Sequence, residues 1–171
     1  MRVRLGRGRF DAAIAVAVLH HLSSVRRREE AMRGLARALV PGGTALVTVW
    51  ALEQENPKTM RKWRALDAPP SPSAAPAAAG ATEGAGEGEG RDFLVPWSVP
   101  FHRPEAAAAA RSALPLGGRV DETRGLVVLE RFYHVFQAGE LEALATRTPG
   151  LNVVRSVFDR SNWCVVVQRD G

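Results

Sequence analysis

The fold is decided by residues 10–50, FDAAIAVAVLHHLSSVRRREEAMRGLARALVPGGTALVTVW. This stretch contains two short apolar runs, one at 10–19 and one that begins at 44 and continues to 52. Continuous runs of this length that contain Val, Ile and Leu are typical of strands buried on both faces of a sheet. Their separation along the chain is that of two parallel strands joined by a crossover helix, so the stretch predicts a strand–helix–strand unit.

The segment between the two runs has the signals of a helix. Ser23 or Ser24 can cap its first turn, and the Pro-Gly-Gly run at 41–43 is predicted to end it. Three apolar positions recur at helical spacing and are predicted to share its buried face: Ala31, Leu35 and Leu39.

The rest of the chain divides by composition. Residues 67–92 contain no large apolar side chain and are predicted to be a disordered insertion. Residues 93–125 are predicted to be an apolar anchor followed by a second linker. Residues 126–171 predict a strand, a helix and a β-hairpin. Residues 1–66 and 126–171 are therefore predicted to be two parts of one core.

Charge and cysteine content narrow the classes of function. The 171-residue chain has a net charge of +5, and all but two of its 23 basic residues are Arg. Arginine suits bidentate contacts to phosphate, so nucleic acid is a permitted partner, although a biased genome explains the same enrichment equally well. A single cysteine, Cys164, excludes an internal disulfide framework. The apolar run at 10–19 is too short to span a bilayer, so no membrane association is predicted.

Five segments, in this order, carry a family resemblance: FDAAIAVAVLHHLSS, VWALEQEN, FLVPW, RFYHVFQAGELEAL and DRSNWCVVVQ. Together they resemble the C-terminal half of the eukaryotic tRNA wobble-uridine carboxymethyl methyltransferases. That family includes the methyltransferase domain fused to an AlkB-type dioxygenase and its vertebrate paralogue.

The resemblance implies an α/β fold of the class I, Rossmann-like methyltransferases, with a mixed sheet and a terminal antiparallel hairpin. It implies S-adenosyl-L-methionine as the cofactor and methylation of the carboxylate on a carboxymethylated wobble uridine. It further implies tRNA and a small zinc-binding methyltransferase activator subunit as partners. The expected location is the cytoplasm, with the nucleus as an alternative.

The resemblance begins after the point where this fold carries its glycine-rich cofactor loop. The GRGR run at 6–9 is rejected as that loop because no strand precedes it and no helix follows it. The chain is therefore expected to bind S-adenosyl-L-methionine poorly by itself. The retained strands would be the family's fourth, fifth, seventh and sixth, and the first of them would be an exposed apolar edge. A non-catalytic interaction module and a small-molecule methyltransferase remain alternative functions.

The adjacent histidines at 20 and 21 follow the first strand, where ligands bind in open α/β sheets. A carboxylate nucleophile is already ionised at neutral pH, so catalysis depends on positioning rather than on a general base. Adjacent strand residues face opposite ways. We therefore predict that His21 positions the substrate, while His20 packs at the strand end and contacts the cofactor with Val16 and Ala17. A metal site is not predicted, since adjacent histidines are poorly placed to chelate one ion.

The remaining candidates follow later strands. Arg131 is predicted to clamp the substrate carboxylate or a phosphate. Six residues are predicted to contact the substrate: Trp50, Glu53, Gln54, Tyr133, His134 and Asn162. Each has a structural alternative. Trp50 can pack in the core, Glu53 and Gln54 can cap the following segment, and Asn162 can form a turn. The RFYHVF motif can be a solvated strand whose aromatic side chains point inward.

Overall fold

A computed structural model describes residues 8–56, 58–66, 91–112, 114 and 118–171. The predicted insertion at 67–92 lies outside the described residues except for its last two positions. The strands, in chain order, are β1 (Phe10–Val16), β2 (Leu39–Trp50), β3 (Arg64–Ala65), β4 (Arg91–Pro100), β5 (Gly118–Asp121), β6 (Leu126–Val135), β7 (Leu151–Asp159) and β8 (Asn162–Arg169). The helices are α1 (Val25–Ala38), α2 (Pro104–Ser112) and α3 (Glu140–Thr146), with short 3₁₀ turns at Leu19–His21 and Thr59–Lys62.

The first sheet has the strand order β1-β2-β8-β7. β1 pairs with β2 in parallel, and the other two pairings are antiparallel. This order confirms the predicted strand–helix–strand unit, the terminal hairpin and the block of four retained strands. Arg160 and Ser161 form the hairpin turn with positive φ angles of 44° and 66°.

The core lies on the face of the first sheet that α1 and α3 cover. Alternate residues of the strands point into it, and Phe136, Met32 and Leu141 fill the space under the helices without exposed surface. On β1 the opposite side chains, Ile14 and Val16, remain 75% and 56% exposed. The predicted exposed apolar edge strand is therefore confirmed.

The start of the crossover helix agrees with the prediction, but its end does not. The Ser24 hydroxyl accepts a hydrogen bond from the Arg27 backbone N–H at 3.3 Å, as expected of an N-cap. The helix ends at Ala38, so the prediction that it reaches the Pro-Gly-Gly run is wrong. Leu39 is the first residue of β2, and Gly43 lies so close to β1 that an added Cβ would come within 3.1 Å of the Phe10 carbonyl oxygen. Gly43 thus admits a close strand approach instead of ending a helix.

The second sheet has the order β3-β4-β6-β5 and is antiparallel throughout. The segment 93–125, which is predicted to be an anchor and a second linker, contains most of β4, the helix α2 and the strand β5. β4 contains prolines at 96 and 100, and it accommodates them because β3 pairs with it only at Phe93 and Leu94. Beyond those residues one side of β4 is an edge, where proline interrupts no ladder.

A short parallel bridge between Ala51 and Phe136 joins the two sheets. The Phe136 N–H donates to the Trp50 carbonyl oxygen at 2.9 Å, and the Leu52 N–H donates to the Phe136 carbonyl oxygen at 2.7 Å. The end of β6 is thereby fixed beside the carboxyl end of β2. No helix of the described ranges has the length and hydropathy needed to cross a membrane.

Candidate functional site

Five rings meet where β1 and β2 end against the second sheet. We call this group the histidine–aromatic cluster; its members are His20, His21, Trp50, Trp63 and Tyr133. The Tyr133 ring stacks on His20 with a centroid distance of 5.0 Å and meets the edge of His21 at 4.6 Å. Trp50 stacks on Trp63 at 5.2 Å and lies 5.5 Å from Tyr133. The cluster therefore contains residues from the turn after β1, from the end of β2, from the segment after β2 and from β6.

His20 is the buried member of the cluster, with 1% of its surface exposed. Its Nδ1 accepts a hydrogen bond from the Trp50 backbone N–H at 3.3 Å. Burial, together with the positive potential of His21 and His134, lowers the pKa of His20 from 6.5 to about 4. A neutral ring that accepts through Nδ1 is thus the stable form at neutral pH, which suits the packing role that was predicted for it.

His21 is exposed, unlike its neighbour. The strand ends at Val16 and both histidines lie in the 3₁₀ turn Leu19–His21, so strand alternation is not what separates their environments. His21 contacts the Tyr133 ring and remains open to solvent, which is the placement that a substrate-positioning residue needs. Its predicted role stays a prediction.

The end of β1 is open and apolar. Ala17 has a positive φ of 56°, and its N–H donates to the Thr48 carbonyl oxygen at 3.1 Å. Val16 and Val18 on either side are exposed. These side chains form an apolar surface at the strand end, and the predicted contact of Val16 and Ala17 with the cofactor stays a prediction.

Gly8 and Arg9, the described residues of the GRGR run, offer no free backbone N–H group to a cofactor. The backbone N–H groups of Gly8 and Arg9 donate to the carbonyl oxygens of Arg37 and Ala38, both at 2.9 Å. Donors used inside the fold are not available to a cofactor, which supports rejecting this run as a nucleotide loop.

His134 is held by two carboxylates. Its Nδ1 and Nε2 lie 2.6 Å from Asp92 and from Glu140, and only 5% of the residue is exposed. Burial lowers the pKa of His134, but the hydrogen bonds that Asp92 and Glu140 accept from its ring outweigh burial and leave the pKa raised. Both ring nitrogens of His134 are thus occupied by carboxylates of the fold, and the residue ties β4, β6 and the start of α3 together. Its predicted substrate contact stays a prediction.

Three other residues that are predicted to contact the substrate also form hydrogen bonds within the fold. The Glu53 carboxylate accepts from the Ala138 N–H at 3.1 Å and from Trp163 Nε1 at 2.9 Å. The Gln54 amide donates to the Ala51 carbonyl oxygen at 2.6 Å. The Asn162 amide donates to carbonyl oxygens of the hairpin turn. Glu53 and Gln54 therefore link the end of β2 to the segment before α3 and to the terminal hairpin rather than cap the segment that follows them. Asn162 has the turn role that was its structural alternative.

Arg131 lies on the same strand as Tyr133 but contacts a different ring. Its guanidinium carbon lies 3.6 Å from the centroid of Trp97. Arg131 and Tyr133 are two residues apart on β6, so their side chains leave the same face of the second sheet. The structure brings together His21, Trp50 and Tyr133 in the cluster and places Arg131 beside it.

A pocket of about 370 Å³ lies away from the cluster, between α1 and α3. His134, Arg28 and Arg147 are among its lining residues. None of the rings of the histidine–aromatic cluster lines this pocket, so we do not assign it as the substrate site. Among the described residues, no group of three or more His, Cys, Asp or Glu side chains is arranged to hold a metal ion.

The titration of His20 gives a first prediction. In the unfolded chain His20 binds a proton near its ordinary pKa of 6.5, whereas in the folded chain it does so only near 4. Stability therefore falls as the pH drops from 6.5 towards 4. His20→Asn retains an acceptor for the Trp50 N–H and removes this loss, so urea unfolding should show the variant gaining stability relative to wild type in that range. His102→Asn, which changes an exposed histidine, is the control, and parallel pH curves for wild type and His20→Asn would refute the assignment.

The fold is that of the class I, Rossmann-like methyltransferases, and the histidine–aromatic cluster lies at the strand ends where ligands bind in such sheets. A family profile described as a methyltransferase domain matches residues 1–47. Among solved structures, an S-adenosylmethionine-dependent methyltransferase from Clostridium acetobutylicum has a TM-score of 0.52 at 10% identity, with 99% of this chain and 62% of that chain covered. Within this class, the chain is related over nearly its whole length to the tRNA (carboxymethyluridine(34)-5-O)-methyltransferases, which confirms the resemblance drawn from its motifs.

Two relatives give the extent of that relation. The enzyme of this description from Arabidopsis thaliana is 32% identical over 94% of this chain and 58% of its own length. A Xenopus tropicalis protein of the same description is 34% identical over 95% of this chain and 27% of its own length. The chain thus corresponds to only a part of each relative.

Proposed function

We propose that this chain forms the substrate side of an S-adenosyl-L-methionine-dependent methyltransferase that acts on the carboxymethyl group of a wobble uridine in tRNA. The observation that carries the proposal is the histidine–aromatic cluster, which lies at the carboxyl ends of two parallel strands in a chain related to enzymes named for that reaction.

The proposed roles follow from the burial of the cluster. S-adenosyl-L-methionine, when bound, supplies an electrophilic methyl group. Exposed His21 orients the substrate carboxyl group, while Trp50, Trp63 and Tyr133 present aromatic surface to the base and exclude water beside it. Neutral His20 supports the Tyr133 ring without adding a charge that would compete for the carboxylate. Val16 and Ala17 contribute the cofactor wall.

The partners belong to the proposal as well. tRNA is the proposed substrate, and the net charge of +5 supports binding to a polyanion. A small zinc-binding activator subunit is proposed as a protein partner on the strength of the family resemblance. The cytoplasm is the proposed location, with the nucleus as an alternative.

The substrate assignment is tested by binding, which does not require cofactor affinity. An anticodon stem-loop with carboxymethyluridine at the wobble position should bind more tightly than the same RNA with uridine. His21→Ala should reduce that preference about tenfold, since the variant loses the ring that positions the carboxyl group. His102→Ala, a second exposed histidine, should leave it unchanged. Equal affinities of the wild-type chain for both RNAs would contradict the proposal.

Calorimetric titration with S-adenosyl-L-methionine tests the cofactor side. Because the described residues supply one wall, we expect the chain alone to bind weakly. Micromolar affinity would show that this expectation is wrong.

The exposed edge of β1 favours a second candidate, a non-catalytic interaction module. Ile14 and Val16 leave an apolar edge where another polypeptide can pair. Stable co-purification with the activator subunit, together with equal binding of the two RNAs, would favour this alternative.

A further inference from the structure

We propose that one face of the second sheet is a stacking platform for single-stranded RNA, with Trp97 and Arg131 as its binding residues. We call it the RNA-stacking face and define it by Trp97, Arg131 and Tyr133. The inference deepens the proposed function and rests on it for the identity of the partner, because it assigns the surface that receives the nucleotides next to the target base.

The pairing of β4 with β6 places these side chains on one face. Phe93 is opposite Tyr133, Val95 is opposite Arg131 and Trp97 is opposite Leu129. Side chains two residues apart on a strand leave the same face at intervals of about 7 Å. The face therefore presents flat side chains in a row along the strands.

Trp97 and Arg131 form the accessible pair in this row. The guanidinium carbon of Arg131 lies 3.6 Å from the Trp97 ring centroid, and Trp97 remains 40% exposed. A guanidinium held over a ring is a planar cation that can stack on a base or meet a phosphate. An exposed tryptophan next to it offers sequence-tolerant stacking, the combination found in single-strand binding sites.

The two ends of the face are covered, which singles out the part between them. At one end Tyr133 contacts His20 and His21 in the histidine–aromatic cluster. At the other end Val99 and Val127 are buried with Ala110 of α2. The exposed stretch at Trp97 and Arg131 therefore begins beside the histidine–aromatic cluster and leads away from it. A nucleotide bound at the histidine–aromatic cluster would place the next nucleotide of the same RNA strand over Trp97 and Arg131.

Charge favours RNA as the occupant over an apolar peptide. Arg131 lies on the face itself, and Arg111 lies over Phe101 at 4.4 Å near its far end. Two guanidiniums along the path of a polynucleotide supply phosphate contacts, whereas an apolar peptide would leave both charges without a counterpart.

The test uses the full chain and a fluorescein-labelled oligouridylate of about ten nucleotides, a length that covers a typical single-strand site. Trp97→Ala should weaken binding about tenfold, since the variant loses the ring on which a base stacks. Trp97→Phe retains a ring and should stay within about threefold of wild type. Arg131→Lys retains the charge but loses the planar group. Its affinity for the oligouridylate should therefore lie between those of wild type and Arg131→Ala.

Phe158→Ala is the matched control because Phe158, on β7 of the other sheet, is 41% exposed. Its affinity for the oligouridylate should equal that of wild type, and unfolding curves should show that Trp97→Ala is as stable as the control. An unchanged affinity in Trp97→Ala, or equal binding of duplex RNA of the same length, would overturn the proposal. The probe carries no carboxymethyl group, so Trp97-dependent binding without a preference for carboxymethyluridine would refute the proposed substrate and leave the stacking face standing.

Discussion

Replacing Phe136 with alanine is expected to lower the free energy of unfolding by about 3–5 kcal/mol, the usual cost of removing a buried aromatic ring from a core. Phe136 has no exposed surface and belongs to the core under α1 and α3. Its ring meets His134 at 4.8 Å, and the Arg28 guanidinium lies 5.9 Å from its centroid. Its backbone also joins the two sheets, so the cavity would open where they meet.

Urea unfolding followed by circular dichroism measures this effect. Phe136→Leu keeps most of the side-chain volume and should cost less than about 1.5 kcal/mol, which shows whether the fold tolerates a change at this position. Phe158→Ala removes an exposed ring and should cost at most about 1 kcal/mol. Equal losses for Phe136→Ala and Phe158→Ala would contradict the central place given to Phe136.

The local part of the fold was predictable because its determinants lie close together in the sequence. The apolar runs at 10–19 and 44–52, with the Ser24 cap between them, define β1, α1 and β2 without reference to distant residues. The end of α1 was not predictable in this way. The Pro-Gly-Gly run usually stops a helix, and only the close approach of Gly43 to β1 shows that it belongs to a strand.

The second sheet depends on pairing between distant segments. β4 contains two prolines, and its ladder with β6 joins residues 26 to 44 positions apart, so its own sequence resembles a linker. Trp63 and Phe93, which complete the aromatic surroundings of Tyr133, follow no spacing rule that connects them to β6.

Within the RFYHVF motif, strand alternation already separates His134 from Arg131 and Tyr133. The alternation does not say which face is buried. That depends on Asp92 and Glu140, which reach His134 from another strand and from a helix.

Replacing His134 with glutamine is expected to destabilise the protein by about 3–5 kcal/mol near pH 6, the range observed when one member of a buried charged group is removed. Without the imidazolium, the Asp92 and Glu140 carboxylates face a neutral side chain and repel each other. Arg64→Gln is the matched control, because it breaks an ion pair with Glu130 at 2.8 Å that lies on the same sheet but is exposed. That change should cost no more than about 1 kcal/mol.

The pH dependence separates this charge effect from a packing defect. The folded-state pKa of His134 is raised above its ordinary value of 6.5, so its contribution to stability is fully present below pH 6.5. The contribution is lost as the pH rises through the folded-state pKa, because the folded chain then gives up the proton that held the two carboxylates. The difference in unfolding free energy between wild type and His134→Gln should therefore shrink as the pH rises above 6.5. The folded-state pKa of His20 lies near 4, below this range, and its titration in the unfolded chain is common to both proteins, so the comparison reports His134. A difference that stays constant across the range would mean that His134 stabilises the fold as a neutral ring, through shape and hydrogen bonding alone.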